Sequence, residues 1–476
     1  MSAVRVEVLS IDRYERPYRL RMPFRFGVTT ATHGRQTIVR ARIRLADGRE
    51  TEGFSAEALG AKWFDKNLAL TDAQNHHQLR KALELASDAY LGAGAATPFD
   101  LFAGQYDAHI AACAALDLNP LIASYGQSLV DRAVLDALCR GLGISFYEAM
   151  RGNLVGLRSD AIAPELDDQD VAGLFDGAEP APVIDVRHTV GLADPIVAGD
   201  IAEGDRIDDG LPETLEEVAA TYGSRWFKLK IAGDEAADIE RLKAIASVLD
   251  RIEGGYAATL DGNEQYADAE AIAAFYARLC ETPALARLAA AIRYVEQPIN
   301  RKTALETSIK ALADRVPVII DESDGELSAF PRARALGYAG VSSKACKGIY
   351  KSVLNHARCR KWNAAGGRFF MSAEDLTCEP GVSIQQDLAL VNLLGLTHVE
   401  RNSYHFIDGF GGRPQGEAEA FLREHPDLYH RQQGGIRLNI HGGIIAIGSL
   451  DCPGFGTGIA PDIDAAEPMP KAEWPQ

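Results

Sequence analysis

The first 55 or so residues alternate polar and apolar positions, which predicts antiparallel β-strands. The runs are VRVEVLSIDRYERPYRL and QTIVRARIRLADGRETEGFSAE, and the second contains the hairpin dipeptide Asp47-Gly48. From Thr71 to about Gly156 the apolar spacing becomes helical, as in SLVDRAVLDALCRGLGISFYEAMRG. We therefore predict an α+β domain over residues 1–156.

Short β-branched or apolar runs then recur with helical segments between them, a pattern typical of βα units around a parallel sheet. There are eight such runs, at residues 183–192, 226–233, 256–263, 292–299, 316–323, 340–347, 367–374 and 397–403. Eight βα repeats predict a (β/α)₈ barrel over residues 157–412, with its active site at the C-terminal ends of the strands.

Three other segments lie outside this repeat. The last one, residues 413–476, ends in short strands with Gly-rich turns, RLNIHGGIIAIGSLDCPGFGTGI, and is predicted to return to the N-terminal domain. Two acidic, Pro-containing stretches, about 158–182 and 194–215, read as insertions beside the first barrel strand. From that position we expect them to reshape the mouth of the barrel.

The amino-acid composition and net charge limit the kinds of molecule that this protein is expected to bind. Of 476 residues 47% are hydrophobic, and 49 Lys and Arg against 67 Asp and Glu give a net charge of −18. This balance argues against nucleic acid or an anionic membrane as partner, whereas a small acid can still bind where lysines or a metal reverse the local field. The N-terminus lacks signal-peptide character, and no apolar run of about 18 residues could span a membrane. Seven scattered cysteines without C-x-x-C pairing favour reduced thiols in the cytoplasm.

Charged residues end several of the predicted barrel strands. Lys228 and Lys230 share one face of the second strand because side chains alternate, with Leu229 opposite. A solvated strand edge would also explain them, but a barrel strand is covered on both faces. Two buried ammonium groups therefore need partners that offset their desolvation.

The next three strands each end in a carboxylate. These residues are Asp261, Glu296 and Asp321, spaced by 35 and 25 residues. Each alone is explained by turn or cap chemistry, but together they converge on one mouth, where three negative charges require a cation. All-oxygen ligation is the preference of Mg²⁺, with Mn²⁺ as a substitute. Glu322 remains an alternative to Asp321 as the third ligand.

The sixth strand ends in Ser342-Ser343-Lys344, which places Lys344 across the mouth from Lys230. Neighbouring cations and a metal are expected to lower the pKa of such a lysine toward that of a usable base. Lys347 is expected to be a supporting or solvated lysine.

This ordered set resembles the enolase superfamily, in particular mandelate racemase-like proteins of the muconate-lactonizing branch. The K-x-K pair, the carboxylates in DGN, VEQP and DES, and the lysine of the sixth strand carry the resemblance. The N-terminal motifs PFRFG and ADGRETEGFSAE and the tail CPGFGTGI are similar to the capping domain of this family. The resemblance covers nearly the whole chain and implies an α+β capping domain on the barrel.

What the resemblance implies is removal of a proton α to a carboxylate, with Mg²⁺ stabilising the enediolate. Asp261, Glu296 and Asp321 would be the ligands, Lys230 and Lys344 the acid/base pair, and Lys228 a contact for the substrate carboxylate that also lowers the pKa of Lys230. Two opposed bases permit racemisation or epimerisation, whereas one permits elimination or cycloisomerisation. The family resemblance also implies a homo-oligomer.

The sequence also departs from the family. Lys347-Gly348-Ile349 keeps one glycine where the family has a Gly-Gly pair, and the eighth strand lacks the D-x-D that dipeptide epimerases use. No His–Asp pair ends the sixth and seventh strands, which weighs against the sugar-acid dehydratase branch. His188 and Glu374-Asp375 are weaker candidates for substrate contact. Specificity is predicted to reside on two capping loops, which carry Phe24, Thr29, Lys62 and Trp63.

Three alternatives to this isomerase or lyase remain. One is a sugar-acid dehydratase of the same superfamily. Another is a Schiff-base aldolase that uses Lys344, although this leaves the carboxylates unexplained. The last is a catalytically silent barrel that binds a ligand, against which the two opposed lysines argue.

Overall fold

The computed structural model describes residues 3–159, 162–171 and 173–475. Residues 1, 2, 160, 161, 172 and 476 lie outside it, so the predicted segments 1–156, 157–412, 158–182 and 413–476 are described without them. All seven cysteines are free of disulfides. Within the described ranges, no helix combines the length and apolar character needed to cross a lipid bilayer.

The N-terminal part is an antiparallel sheet covered by helices, as its change of period predicted. The strands are β1 (Val6–Phe26), β2 (Thr29–Leu45) and β3 (Glu50–Ala58), with β16 (Glu467–Pro468) on the outer edge of β1. The helices are α1 (Ala61–Phe64), α2 (Asp72–Gly92), α3 (Pro98–Ala114), α4 (Pro120–Leu142) and α5 (Phe146–Arg151). Thr71 starts α2 with a capping box to Gln74, and Asn119 caps α4 ahead of Pro120.

Helix α4 packs between this sheet and the barrel and is buried along most of its length. Its approach to β3 is close, since a Cβ built on Gly53 would stand 2.0 Å from the backbone nitrogen of Ala137. A glycine is therefore required where the helix crosses the strand.

The eight predicted barrel strands are all present, parallel and in sequence order, and the last pairs with the first. They are β4 (Val183–Val190), β5 (Trp226–Lys230), β6 (Ala257–Asp261), β7 (Ile292–Glu296), β8 (Val318–Ile320), β9 (Gly340–Ser343), β10 (Phe370–Ala373) and β11 (His398–Glu400). In register, Lys230 stands beside Asp261 and Asp261 beside Glu296. The closed parallel barrel with an N-terminal capping domain confirms the predicted fold class.

Helices follow most strands and form the outer layer. They are α6 (Asp168–Val171), α7 (Leu215–Tyr222), α8 (Glu235–Leu249), α9 (Ala269–Glu281), α10 (Ala286–Ala291), α11 (Arg301–Ala304), α12 (Lys310–Ala313), α13 (Ala329–Ala335), α14 (Ile349–Ala364), α15 (Val382–Leu393), α16 (Ser403–Phe406) and α17 (Gln415–Glu424).

The C-terminal segment divides its contacts between both parts of the molecule. Its strands are β12 (Tyr429–Gln432), β13 (Gly435–Leu438), β14 (Ile440–His441) and β15 (Ile444–Ala446), and β15 pairs antiparallel with the start of β4. Further on, Phe455 stacks on Phe146 with ring centroids 3.9 Å apart, and β16 joins β1. The segment thus extends the barrel sheet and also contacts the capping domain, which Glu417 already reaches through Arg16 at 2.8 Å.

The two insertions lie away from the barrel mouth, contrary to expectation. The described part of 158–182 packs on the outside of α14, where Asp170 pairs with Lys361 at 2.6 Å. The stretch 194–215 is bound to β1 by Arg21, which contacts Asp209 and donates to the carbonyl of Leu211 at 3.1 Å. Their own charged residues hold them against the outer surfaces of neighbouring elements, and no described residue of either stretch lines the mouth cavity.

Candidate active site

A cavity of about 660 Å³ lies between the capping sheet and the C-terminal ends of the barrel strands. Its capping wall comes from β1, β2, residues 59–63 and the start of α2. The barrel contributes a floor of mostly charged side chains: Lys228, Lys230, Asn263, Lys344, Asp375, Glu400 and Asn402. A mouth site covered by capping loops is therefore present.

The three predicted carboxylates lie at the C-terminal ends of three neighbouring strands beneath this floor. Asp261 and Glu296 are the last residues of β6 and β7, and Asp321 directly follows β8. All three are buried, and the Nζ of Lys228 lies 3.0 Å from Asp261 and 2.9 Å from Glu296. The strand register thus brings Asp261 and Glu296 next to each other, and the ammonium group of Lys228 lies between their carboxylates.

Lys230 and Lys344 face each other across the mouth. Lys230 ends β5 and Lys344 follows β9, and three strands separate β5 from β9 in either direction around the barrel. The Nζ of Lys230 lies 2.5 Å from Asp261, and that of Lys344 lies 2.7 Å from Asp321. Both lysines line the cavity, each paired with a different predicted metal ligand.

Lys228 lies at the centre of four carboxylates, of which the sequence analysis named Glu374 only as a weaker candidate and did not identify Glu400. Besides Asp261 and Glu296, its Nζ contacts Glu374 at 2.7 Å and Glu400 at 3.1 Å. Burial alone would lower the pKa of Lys228, but the four acids outweigh it and raise the pKa well above its ordinary value. Lys228 is therefore a firmly protonated structural cation of the site.

Glu374 and Glu400 are themselves held by residues of β4. The guanidinium of Arg187 contacts Glu374, and Thr189 donates to Glu400. Arg187 and Thr189 occupy alternate positions of the predicted first strand and therefore share one face of it. This alternation could have predicted that both side chains point into the barrel. Glu374 is buried below the cavity, whereas Asp375 lines it and pairs with Arg401 at 3.1 Å.

His188 lies between Arg187 and Thr189 in sequence, so its side chain is on the opposite face of β4. The prediction that His188 contacts substrate is therefore wrong. Its Nδ1 lies 2.6 Å from the hydroxyl of Tyr404, and its ring packs against Phe227 and His405. His188 is absent from the cavity lining.

Lys347 is a supporting lysine, as expected, but it is buried, not solvated. Its Nζ donates to the carbonyl of Ser342 at 2.7 Å and lies 3.4 Å from Asp321 and 3.1 Å from Asp324. Lys351 follows at 3.5 Å from Asp324. Cations and anions thus alternate behind Asp321.

These contacts set the pKa values of the candidate ligands. Burial raises the pKa of Asp261 and Asp321, but the adjacent lysines outweigh it and hold both below the ordinary range. Glu296 shows the opposite balance, because burial and the repulsion of Asp261 and Glu374 raise its pKa well above normal. For Lys344, burial lowers the pKa but Asp321 outweighs it, so the net shift is upward, opposite to the predicted direction.

The oxygen chemistry of the site fits a hard divalent cation. Asp261, Glu296 and Asp321 supply buried carboxylates, and the nearby amide oxygen Oδ1 of Asn263 accepts no hydrogen bond. The described side chains nevertheless do not gather three His, Cys, Asp or Glu residues into one metal-sized cage. The ammonium groups of Lys228 and Lys344 lie against the carboxylates instead.

Glu322, the alternative third ligand, faces away from the mouth. Its Oε1 accepts from Asn263 at 3.2 Å and from Lys66 at 3.3 Å. The side chain lines a separate cleft on the flank of the barrel, which favours Asp321 as the residue directed at the mouth.

The four capping-loop residues predicted to control specificity, Phe24, Thr29, Lys62 and Trp63, all line the mouth cavity.

Comparison with known proteins agrees with this fold. Residues 210–405 match the family described as enolase C-terminal domain-like. The chain is similar to an enolase from Bradyrhizobium complexed with magnesium and mandelic acid, at 16% identity and a TM-score of 0.61 over 98% of each chain. It is also similar to a muconate lactonizing enzyme from Pseudomonas fluorescens complexed with muconolactone, at 18% identity and a TM-score of 0.60, over 96% of this chain and 98% of that one.

A third similar structure is a dipeptide epimerase from Enterococcus faecalis complexed with Mg and L-Leu-L-Tyr, at 15% identity and a TM-score of 0.59, over 94% of this chain and 99% of that one. Curated proteins gave no match.

Residues 210–405 therefore match the enolase C-terminal domain-like family, and the whole chain has the enolase-superfamily fold. Its similar structures include mandelate racemase/muconate lactonizing enzyme-like members of that superfamily. The muconate-lactonizing branch itself stays a prediction.

Proposed function

We propose that this protein is a Mg²⁺-dependent isomerase or lyase that removes the proton α to the carboxylate of a small organic acid. The observation that carries the proposal is the pair of opposed lysines. Lys230 and Lys344 enter one covered cavity from opposite sides of the barrel, each paired with a buried carboxylate. The match of residues 210–405 to the enolase C-terminal domain-like family supports an enzyme.

Each lysine would act on one face of the bound acid. An acid held between them has its α-carbon within reach of a proton acceptor on one side and a donor on the other. Removal on one face and return on the other gives racemisation or epimerisation. If only one lysine moves a proton, the reaction is elimination or cycloisomerisation, with the second lysine acting as a fixed cation.

Asp261, Glu296 and Asp321 would hold the cation, Mg²⁺ or in its place Mn²⁺. Once bound, the metal supplies Lewis-acid stabilisation of negative charge on the substrate carboxylate and competes with the lysines for Asp261 and Asp321. Lys228 reaches the cavity floor and is held protonated by Glu374 and Glu400, so it is suited to attract the substrate carboxylate.

The similar structures support an acid of modest size, since they were solved with mandelic acid, muconolactone and a dipeptide. We further propose a cytoplasmic homo-oligomer, on the basis of the reduced cysteines and the family resemblance.

The test is α-proton exchange with solvent. A panel of organic acids, incubated with protein and Mg²⁺ in D₂O, is examined by NMR for deuterium at the α-carbon, with chelator and Lys230→Met as negative arms. Lys302→Met, which alters an exposed lysine outside the cavity, is the matched control. We expect exchange by wild type and control, no exchange with chelator, and loss of exchange for at least one antipode with Lys230→Met.

Other outcomes would favour the alternatives. A borohydride-trapped adduct on Lys344 that ignores chelator would indicate a Schiff-base aldolase. Loss of water from a sugar acid would indicate a dehydratase, and saturable binding of an acid without exchange would indicate a silent barrel.

A further inference from the structure

The ammonium group of Lys344 is covered by an aromatic ring from the capping domain. Its Nζ lies 4.1 Å from the ring centroid of Trp63, within the range of a cation–π interaction. Both side chains are buried, and both line the mouth cavity. Lys344 therefore has two partners, Asp321 from the barrel and Trp63 from the cap.

Trp63 is held in place by the barrel through its own backbone. Arg301 donates to the carbonyl of Trp63 at 2.8 Å and to that of Phe64 at 2.9 Å. Arg301 is in turn bound by both oxygens of Glu264, each at 2.9 Å. Glu264 lies three residues after Asp261, so the segment that follows a candidate metal ligand also anchors helix α1, which carries Trp63.

We propose that Trp63 is a positioning residue for Lys344 and that the Arg301–Glu264 pair is the latch that sets it. The indole shields the ammonium from water and keeps it directed at Asp321, while the latch fixes helix α1 (Ala61–Phe64) to the barrel. The cap thereby does more than shape the substrate cavity: it completes the surroundings of one of the two lysines. The kinetic part of this inference rests on the proposed function, and the contact itself does not.

The contact is tested without any substrate. The chain has four tryptophans, so protein labelled with 5-fluorotryptophan gives four ¹⁹F resonances, and Trp63→Phe assigns one of them. Lys344→Met removes the cation and should shift the Trp63 resonance, whereas Lys230→Met, across the mouth, should leave it in place.

The latch is tested in the same sample type. Arg301→Met should shift or broaden the Trp63 resonance, and Lys302→Met, its exposed neighbour, should not. Glu264 keeps Lys66 at 2.6 Å in Arg301→Met, so the variant does not leave that carboxylate unpaired. A Trp63 resonance that ignores both Lys344→Met and Arg301→Met overturns the proposal.

The positioning role is tested on any acid that shows α-proton exchange. Trp63→Leu should lower kcat by about tenfold with a smaller change in KM, because a displaced base reacts slowly even when substrate binds. Trp63→Phe, which keeps an aromatic face, should restore most of the rate, and thermal melting checks that both variants are folded. Wild-type kinetics in folded Trp63→Leu would contradict the positioning role. Failure of the wild type to exchange any acid would instead count against the proposed function, while the ¹⁹F shifts still decide the contact.

Discussion

The two sides of the barrel mouth carry the same residue type in different surroundings. On one side, Lys230 shares Asp261 with Lys228, which is held by four carboxylates in all. On the other side, Lys344 pairs with Asp321 at 2.7 Å, and the ring of Trp63 lies over its ammonium group. Lys347 lies 3.4 Å from the same carboxylate.

This difference indicates how each lysine is kept in place. Among the described residues, the ion pairs of Lys230 and Lys228 are all made with carboxylates of the barrel. The Lys344 side also depends on Trp63 of the capping domain. A change in the capping domain is therefore expected to alter the position of Lys344 more than that of Lys230.

The largest expected effect is on the stereochemistry of exchange. If the lysines serve opposite faces, Lys230→Met should abolish exchange of one antipode of a chiral substrate and Lys344→Met that of the other, each by about 10²–10⁴-fold. Deuterium incorporation followed separately for each antipode measures this. If both variants lose exchange of the same antipode, the lysines act on the same face of the substrate, and the prediction of opposite faces is wrong.

The second prediction compares how much Lys228 and Lys347, the lysines that support the two sides of the mouth, contribute to the free energy of unfolding. Lys228→Met leaves Glu374, Glu400 and Glu296 without their shared cation and should lower the free energy of unfolding by about 3–5 kcal/mol. Lys347→Met should cost only about 1–2 kcal/mol, because Asp321 keeps Lys344 and Asp324 keeps Lys351. Urea unfolding of both variants measures the difference, and equal costs would mean that the two clusters are equivalent.

The smallest effect sharpens the role of Lys347. Its positive charge lies 3.4 Å from Asp321 and opposes any cation that this carboxylate binds. Lys347→Met should therefore tighten Mg²⁺ binding by about threefold, or ~0.7 kcal/mol. Calorimetry on this variant checks the direction, and weaker binding would show that Lys347 chiefly orients Asp321.

The fold could be predicted because the barrel strands are short β-branched or apolar runs, and several of them end in a charged residue. That same pattern placed Asp261, Glu296 and Asp321 at the mouth, since parallel strands bring their C-terminal ends together. The lysines followed from alternation along β5 and from the position of β9.

Contacts between distant segments could not be predicted in this way. Glu400 and Arg187 look like ordinary charged strand residues until closure of the barrel brings β11 and β4 together. His188 was misplaced because a one-residue step moves a side chain to the other face of the strand. The position of Trp63 depends on hydrogen bonds from Arg301 to backbone carbonyls, for which the sequence carries no pattern.

The central claim is that the carboxylates beneath the two lysines form a divalent-cation site. Calorimetric titration of Mg²⁺ into chelator-treated wild type and into Glu296→Gln tests it most directly. The account predicts saturable binding near one ion per chain in the wild type and at least about tenfold weaker binding in the variant, which is ~1.4 kcal/mol. Absence of binding in the wild type, or equal binding by Glu296→Gln, would contradict it.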